Sequence, residues 1–413
     1  MRIGYFIPGW PPGAIPNGIV TALGHLGKQL VLNGHEVFYV TPDGRTFLED
    51  KQIWVDQGLT GGSIARLVEK LHFKLDSEGA FFRWGSKRLA DVVERLVRLR
   101  SLDVFQMEET RGFGLTVMRR LQVPVVIQVN GPWFLHAPLQ EPQSSKREKL
   151  RRIKREGQAI HNAAGITAPS KDVLERIEAI YGRPKCPTEI IPNPCMPSVR
   201  WTLESCDRNL ILFVGRFDLH KGADILIRAF AKVAEIRKEI KLVFIGPDFG
   251  LPLDGRVISL SEYLALQIPP AERERIECLG RLPQSEIEKL RTQAYLTIVC
   301  SRYENFPNTV VEAMAAGCPT IATNTGGIRE MIFHGRNGLL VDIEDVDGLA
   351  AAIAKMLDDP ALGRKLGEQA ARDCRDWFDA TKVAERTVSF YSEVIKYHRE
   401  RAEVGEGLGD GRL

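Results

Sequence analysis

The chain has 413 residues, 44% of them hydrophobic, which is enough for two domains that each bury a core. Because 56 basic residues face 53 acidic ones, the formal net charge is only +3, and composition does not favour nucleic acid as a partner. Seven cysteines without a C-x-x-C pair are typical of reduced thiols in a cytoplasmic protein. No apolar run approaches the roughly 20 residues that span a bilayer, and no signal peptide is recognised. We therefore expect a cytoplasmic protein, with peripheral contact at the inner face of the membrane as the alternative.

The N-terminal region begins with a predicted β-α-β unit. Residues 2–7 form the first strand, a Pro/Gly-rich loop ends at Gly18, a helix runs to about Asn33, and residues 36–41 form the next strand. The turn contains neither G-x-G-x-x-G nor G-x-x-x-x-G-K-[ST], so neither a bound dinucleotide nor a P-loop is predicted.

Residues 44–100 carry less signal, apart from a basic amphipathic helix predicted near 87–99. Strands are predicted at 104–107 and 123–129, and the second of them leads into the loop that begins at Asn130. Asn130 is thus a polar residue at the carboxyl end of a strand, and His136 lies six residues downstream, although an ordinary loop histidine is the alternative.

Residues 146–155 contain seven basic residues and one acidic residue, with apolar positions at helical spacing. The predicted inner stripe is Leu150, Ile153, Gly157, Ile160 and Ala164. Two interpretations stay open: the helix rests on anionic lipid, or its basic face is simply solvated over a packed stripe.

Strands at 165–168 and 188–191 complete the first predicted domain, and prolines at 192, 194 and 197 mark a stiff connection. The second domain begins with a strand at 210–214 that leads into the turn GRFDLHKG and then a helix. In that turn Arg216 and Lys221 can place two cations on a diphosphate.

The stretch 295–327 predicts a strand, a loop, a helix, a second strand and a loop. Thr309 and Glu312 match a capping box at the start of the helix, and Gly317 ends it. The loop before this helix carries Glu304. Because carboxylates repel phosphates, neutral hydroxyls such as those of a sugar and a ribose are the expected partners of Glu304 and Glu312. The alternative is that Glu312 only caps the helix and that Glu304 is a solvated loop residue.

The residues from Ser301 to Pro319, with Glu304 and Glu312 in an E-x7-E pattern, resemble retaining glycosyltransferases of family 4. Gly326-Gly327-x-x-Glu330 and the G-R-x4-K-G turn at 215–222 are similar to the same family. The resemblance implies an α/β protein of GT-B architecture, with two Rossmann-like doubly wound parallel-sheet domains that face each other across a cleft. Residues 1–197 with about 388–405 would form the acceptor-side domain and 205–385 the nucleotide-sugar domain, while 406–413 are predicted to be a disordered tail.

The resemblance also implies the roles of individual residues. Glu304 would contact the donor sugar, Arg216 and Lys221 would bind the diphosphate and stabilise the leaving group, and Glu312 would hold the ribose. The remaining implied donor-site residues are Gly18, Arg281, Leu282, Asn305, Phe306, Pro307, Asn308 and Thr309. Many relatives have a histidine where Asn130 stands, and glycines where Asn305 and Pro307 stand. Asn130 and His136 are therefore the candidates for the acceptor or sugar side.

The predicted activity is transfer of a hexosyl group from a nucleotide diphosphate sugar to a glycan, lipid-linked or small-molecule acceptor, with retention of configuration. No acidic triplet or His/Cys cluster has the spacing of a metal site, so no metal or other cofactor is predicted, and the leaving diphosphate would be stabilised by Arg216, Lys221 and helix amino ends. One alternative is a nucleotide-sugar-binding protein without transfer activity, favoured by the missing histidine. Another is a different GT-B enzyme, such as an epimerase or a phosphorylase.

Overall fold

The computed structural model describes residues 1–11, 17–48, 51–55, 76–140, 145–196 and 199–403. The chain divides into unit 1, Met1–Pro194 with Ala380–Leu413, and unit 2, Cys195–Asp379. The sequence-based boundaries, 1–197 with 388–405 and 205–385, differ from this division by up to ten residues where the two units meet. Pro197 and the tail 406–413 lie outside the described residues.

Unit 1 contains a sheet in the order β4-β3-β2-β1-β5-β6-β7-β8. Its strands are β1 (Arg2–Phe6), β2 (Glu36–Val40), β3 (Arg45–Leu48), β4 (Lys51–Val55), β5 (Val104–Glu108), β6 (Val125–Gln128), β7 (Gly165–Ala168) and β8 (Thr188–Ile190). Its helices up to the connection are α1 (Gly18–Leu32), α2 (Ser77–Arg100), α3 (Gly114–Met118), α4 (Trp133–Gln140), α5 (Lys146–Asn162) and α6 (Lys171–Tyr181). All neighbouring strands run parallel except at β2–β3 and β3–β4.

The β-α-β unit at the start of unit 1 was predicted and is confirmed. Asn17 caps α1, because its side chain accepts a hydrogen bond from the Ile19 backbone N–H at 2.8 Å. Apolar residues at helical spacing, among them Leu23, Leu26 and Leu30, bury one face of α1 on the sheet. Strand β1 pairs with β2 on one side and β5 on the other, so the strand order reverses beside β1. The antiparallel strands β3 and β4 were not predicted.

Unit 2 is built on a parallel sheet in the order β13-β10-β9-β14-β15-β16. Its elements are β9 (Asp207–Val214), α7 (Ala223–Ile236), β10 (Lys241–Ile245), β11 (Leu251–Leu253), β12 (Arg256–Ile258), α8 (Leu260–Gln267), α9 (Pro270–Arg273), β13 (Ile276–Gly280), α10 (Gln284–Gln293), β14 (Ala294–Val299), α11 (Asn308–Ala316), β15 (Thr320–Thr323), α12 (Ile328–Met331), β16 (Leu339–Val341), α13 (Val346–Asp358) and α14 (Pro360–Trp377). The chain order reverses between β9 and β14, because β9 continues through α7 to β10 on its other side. Ligands of open α/β sheets bind outside the carboxyl ends of the strands at such a reversal.

The chain then returns to unit 1 through α15 (Ala380–Glu403). Val383, Phe390 and Val394 of α15 belong to the same apolar cluster as α1 and β1. Buried Tyr391 donates a hydrogen bond from its hydroxyl to Gln106 Oε1 at 2.6 Å. Residues 388–403, which the sequence assigned to the first domain, are therefore part of a helix that begins at Ala380.

The inner stripe predicted for α5 is only partly correct. Gly157 and Ile160 are buried, but Leu150 is 59% exposed. Two arginines turn toward the protein instead: Arg152 pairs with Glu156 at 3.0 Å and Arg155 with Glu78 at 3.8 Å. Within the described residues, the helices do not combine the length and apolarity needed to cross a membrane.

Candidate functional site

The turn after β9 packs directly against the end of β14. Gly222 precedes α7 with a φ of +65°, and a Cβ there would lie 2.0 Å from the Cys300 carbonyl oxygen. Only glycine fits this position, because a side chain would clash with the backbone and strain the left-handed conformation. The G-R-x4-K-G turn is thereby held beside the loop that follows β14.

Lys221 of this turn forms an ion pair with Glu304, through Nζ and Oε1. Glu304 also accepts a hydrogen bond from Ser301 Oγ at 2.8 Å, and its residue is only 8% exposed. Both residues were predicted from the sequence to lie at the site, but their pairing was not predicted. In this structure the Glu304 carboxylate is therefore paired with a lysine ammonium.

The ion pair governs the ionisation of Glu304. Burial by itself would raise the pKa of Glu304, but the charges of Lys221 and His220 and the hydrogen bonds from Lys221 and Ser301 lower it to about 2. Glu304 is consequently ionised at neutral pH. His220 is buried beside it, and burial lowers the pKa of His220 although Glu304 opposes this effect. His220 was not predicted as part of the site.

Arg216 occupies the other end of the same turn. Its Nε lies 2.7 Å from Asp218 Oδ2, and its guanidinium lies 5.3 Å from the centroid of the Phe249 ring. Asp218 also accepts the Lys221 backbone N–H at 2.8 Å. The turn thus carries two cations. Arg216 pairs with Asp218 of the same turn, and Lys221 pairs with Glu304 of the loop after β14.

The Gly326-Gly327 pair fixes the backbone of Glu304. Gly326 has a φ of +49°, and a Cβ there would lie 2.0 Å from the Glu304 carbonyl oxygen. The Gly327 N–H donates to that same oxygen at 2.9 Å. The motif recognised in the sequence therefore has a structural role in holding the loop that carries Glu304.

The capping box predicted at Thr309 and Glu312 is wrong. Helix α11 begins at Asn308 with Pro307 at the N-cap position, so Thr309 already has helical backbone and cannot cap. The Glu312 side chain instead pairs with Arg291 of α10, whose Nη2 lies 2.7 Å from Oε2. Arg291 was not predicted, and no local pattern in the sequence marks it.

The other donor-site candidates of unit 2 lie on the same two loops or nearby. Asn305 and Phe306 are buried, and the Phe306 ring packs edge-on against Phe378 at 5.2 Å. Gly280 has a φ of +63° and forms the turn to α10, where Arg281 is exposed and Leu282 is half-buried. Pro307, Asn308 and Thr309 form the start of α11.

In unit 1 the candidates lie at the carboxyl ends of parallel strands. Gly18 is the first residue of α1 and is not among the glycines with positive φ, so its conformation does not require glycine. Asn130 follows β6, and His136 lies in α4 close to Gly131, where a Cβ would be 2.3 Å from His136 Nε2. These residues share an end of the unit 1 sheet.

Two buried glutamates that were not predicted hold the Asn130 loop. Glu109 accepts the backbone N–H groups of Asn130 and Gly131 at 3.0 and 2.8 Å, and Glu156 accepts that of Trp133 at 2.9 Å. Burial, with the charges of Glu108 and Glu156, raises the pKa of Glu109 to about 8. The only sequence signal was the Glu108-Glu109 pair that follows the apolar part of β5.

A small recess lies beside Asn130, between the carboxyl ends of the strands and α1. Its polar lining includes Gln106, Gln128 and Thr167. The Tyr391 hydroxyl donates to Gln106 Oε1, so the Gln106 amide donates to Gln128 Oε1 at 2.8 Å. This chain of hydrogen bonds fixes the orientation of both amides at the recess.

Within the part of the chain that the structure describes, no group of three or more His, Cys, Asp and Glu side chains is placed to hold a metal ion.

Two parallel-sheet units with candidate residues at the strand ends define an α/β protein with the GT-B fold. Residues 16–198 match the family model described as Glycosyltransferase Family 4, and residues 200–373 match Glycosyl transferases group 1. Both models describe glycosyltransferases, and together they match residues 16–373 apart from residue 199.

Among curated relatives, D-inositol 3-phosphate glycosyltransferase of Thermobispora bispora is 29% identical over 275 residues, which cover 64% of each chain. The chain spans between 43% and 64% of the lengths of the first curated relatives that it matches. Sucrose-phosphate synthase of Thermosynechococcus elongatus has a similar structure, with a TM-score of 0.74, 18% identity and coverage of 96% of this chain and 99% of that one. HepE of Anabaena in complex with UDP-glucose has a TM-score of 0.65 at 17% identity, covering 95% and 99%.

Proposed function

We propose that this protein transfers a hexosyl group from a nucleoside diphosphate sugar to an acceptor hydroxyl, with retention of anomeric configuration. The observation that carries the proposal is the meeting of Arg216, Lys221 and Glu304 at the carboxyl ends of neighbouring strands β9 and β14. Two cations suit a diphosphate, and an ionised buried carboxylate suits the hydroxyls or the developing positive charge of a sugar.

Each residue has one part in the proposed reaction. The bond between the anomeric carbon and the diphosphate oxygen breaks with its electron pair going to the diphosphate, the acceptor oxygen bonds to that carbon, and the acceptor hydroxyl passes its proton to the departing diphosphate. Arg216 and Lys221 stabilise the negative charge that grows on the departing diphosphate. Glu304 favours the oxocarbenium-like sugar, and Glu312 binds the ribose. These side chains supply the charge stabilisation, so we propose that the reaction needs no metal ion.

A nucleotide sugar as donor is supported by the likeness of fold to HepE, which was solved with UDP-glucose. On the acceptor side, Asn130 lies at a recess lined by neutral amides and a hydroxyl, which suits a hydroxyl-bearing group. The backbone of its loop is held by Glu109 and Glu156, so the residue is well positioned for such a contact.

We propose that an anionic or lipid-linked acceptor approaches along α5. Lys146, Arg147 and Lys154 are exposed there around Leu150, whereas Arg152 and Arg155 pair internally. An exposed leucine among cations suits a peripheral contact with an anionic membrane surface.

The deciding experiment measures donor turnover with UDP-, GDP-, ADP- and dTDP-sugars, with and without an acceptor pool and with and without EDTA. Release of nucleoside diphosphate together with a glycosylated acceptor, unchanged by EDTA, supports the proposal. Binding without turnover would indicate a nucleotide-sugar-binding protein. Turnover without an acceptor, or only with phosphate, would indicate an epimerase or a phosphorylase, and loss of activity in EDTA that Mg²⁺ restores would contradict metal independence.

A further inference from the structure

Arg291 is among the largest fully buried side chains within the described residues, with 1% of its side chain exposed. It projects from the last turn of α10 toward α11. A guanidinium in such a position loses its hydration, which costs several kcal/mol unless partners replace the water. The buried Arg291 guanidinium therefore depends on a partner of opposite charge.

Its partner is the carboxylate of Glu312. The contact is single: Nη2 donates to Oε2 at 2.7 Å, while Nε and Nη1 have no hydrogen-bond partner among the described residues. The Glu312 side chain is 21% exposed, so its carboxylate still reaches solvent. Only one of its two oxygens, Oε2, is paired with Arg291. An arginine that fixes one oxygen leaves the other to accept a hydrogen bond from outside.

Helix geometry explains why Glu312 needs such a support. The residue lies inside α11, and a glutamate side chain has several staggered rotamers unless a partner selects one. The ion pair with Arg291, which reaches Glu312 from α10, restricts the Glu312 rotamers and aligns the free oxygen.

We infer that Arg291 is a positioning residue that orients Glu312 toward the ribose and thereby sets the preference for ribonucleotides over deoxyribonucleotides. The inference rests on the proposed function, in which Glu312 binds the ribose. Arg291 makes no contact with the nucleotide and acts only through Glu312.

The test compares dissociation constants for UDP and dUDP, ADP and dADP, and GDP and dGDP by calorimetry, and uses the pair that binds best. Wild-type protein should prefer the ribonucleotide at least tenfold, because the deoxy analogue lacks the hydroxyl that a charged acceptor binds. In Arg291→Met the preference should fall to less than threefold, while affinity for the deoxynucleotide stays within about threefold of wild type. Arg291→Lys, which keeps the charge but not the planar fork, should restore part of the preference.

Arg364→Met is the matched control, since Arg364 forms an exposed pair with Glu204 at 2.8 Å elsewhere in unit 2. Circular dichroism and thermal melting check folding, and Arg291→Gln replaces Arg291→Met if the latter does not fold. If Arg291 had only a structural role, its loss would weaken binding of the ribonucleotide and the deoxyribonucleotide equally. An unchanged preference in the folded variant would therefore overturn this inference and leave the proposed function untouched. If wild-type protein bound ribonucleotides and deoxyribonucleotides equally well, both the inference about Arg291 and the ribose role of Glu312 would be overturned. The proposed transfer activity would still be tested separately, by donor turnover.

Discussion

The ammonium of Lys221 and the carboxylate of Glu304 form an ion pair between residues 83 positions apart in the chain. The pair joins the turn after β9 to the turn after β14, and both groups are largely removed from solvent. Since β9 and β14 are neighbours at the reversal of strand order, the contact lies where an open α/β sheet binds its ligand. The cation proposed for the diphosphate and the carboxylate proposed for the sugar therefore neutralise each other before a donor arrives.

The first prediction concerns the pH dependence of stability. The pKa of Glu304 is lowered to about 2 from an ordinary value of 4.5, so the unfolded state binds more protons between these pH values. The contribution of Glu304 is complete above pH 4.5 and is lost as the pH falls toward 2; its size is on the order of 3 kcal/mol. Denaturant unfolding should show that wild type loses its advantage over Glu304→Gln in this window. Glu204→Gln, at an exposed position, should show no such trend.

The second prediction concerns the diphosphate. Arg216→Ala and Lys221→Ala should each weaken nucleoside diphosphate binding at least tenfold, because each loses a charge-assisted contact of roughly 1.5–3 kcal/mol. Lys232→Ala serves as the control, since Lys232 forms an exposed ion pair with Asp347. Calorimetry measures the dissociation constants for nucleoside diphosphate. If Arg216→Ala and Lys221→Ala both bound it as tightly as wild type, the turn would not bind the diphosphate.

The third prediction concerns Glu109. Its pKa is raised to about 8, so the folded state binds more protons than the unfolded state between pH 4.5 and 8. Wild type should lose stability relative to Glu109→Gln as the pH rises through this range, by at most about 1.4 kcal/mol per pH unit. Glu175→Gln, at a position with a 63% exposed side chain, is the control. A difference that does not change with pH would mean that Glu109 is ionised throughout.

Local patterns in the sequence predicted most of the fold. The strand–turn–helix units around Lys221 and Glu304 were identified because each depends on a short run of apolar spacing and a turn. Their pairing was not, because it depends on β9 lying beside β14. The capping box failed because Pro307 takes the N-cap position, which lets the helix start one residue before Thr309. Arg291 was missed for the same reason as the ion pair, since its partner lies on another helix.

The fourth prediction concerns the exposed face of α5. Lys146→Glu, Arg147→Glu and Lys154→Glu together should abolish sedimentation with anionic liposomes, and raising the salt concentration should weaken wild-type sedimentation because it shortens the Debye length. Neutral liposomes should bind little. Binding that does not change with salt concentration or lipid charge would contradict an electrostatic contact. Negligible binding to both kinds of liposome would mean that the basic face of α5 is simply solvated.

The last prediction separates the two glutamates. Glu304 is paired with Lys221, so Glu304→Gln should slow transfer strongly while nucleoside diphosphate affinity stays the same or rises, because the lysine is released for the diphosphate. Glu312 is paired with Arg291 and is proposed to meet the ribose, so Glu312→Gln should weaken binding of donor and free nucleotide alike. The sugar leaves in the reaction and the ribose stays, which is why only Glu312→Gln should weaken nucleotide binding. Steady-state transfer assays and calorimetry on both variants, with Glu204→Gln as control, give a two-by-two comparison. Reduced nucleotide affinity in Glu304→Gln with normal affinity in Glu312→Gln would reverse the two roles, and normal transfer in both would place the site elsewhere.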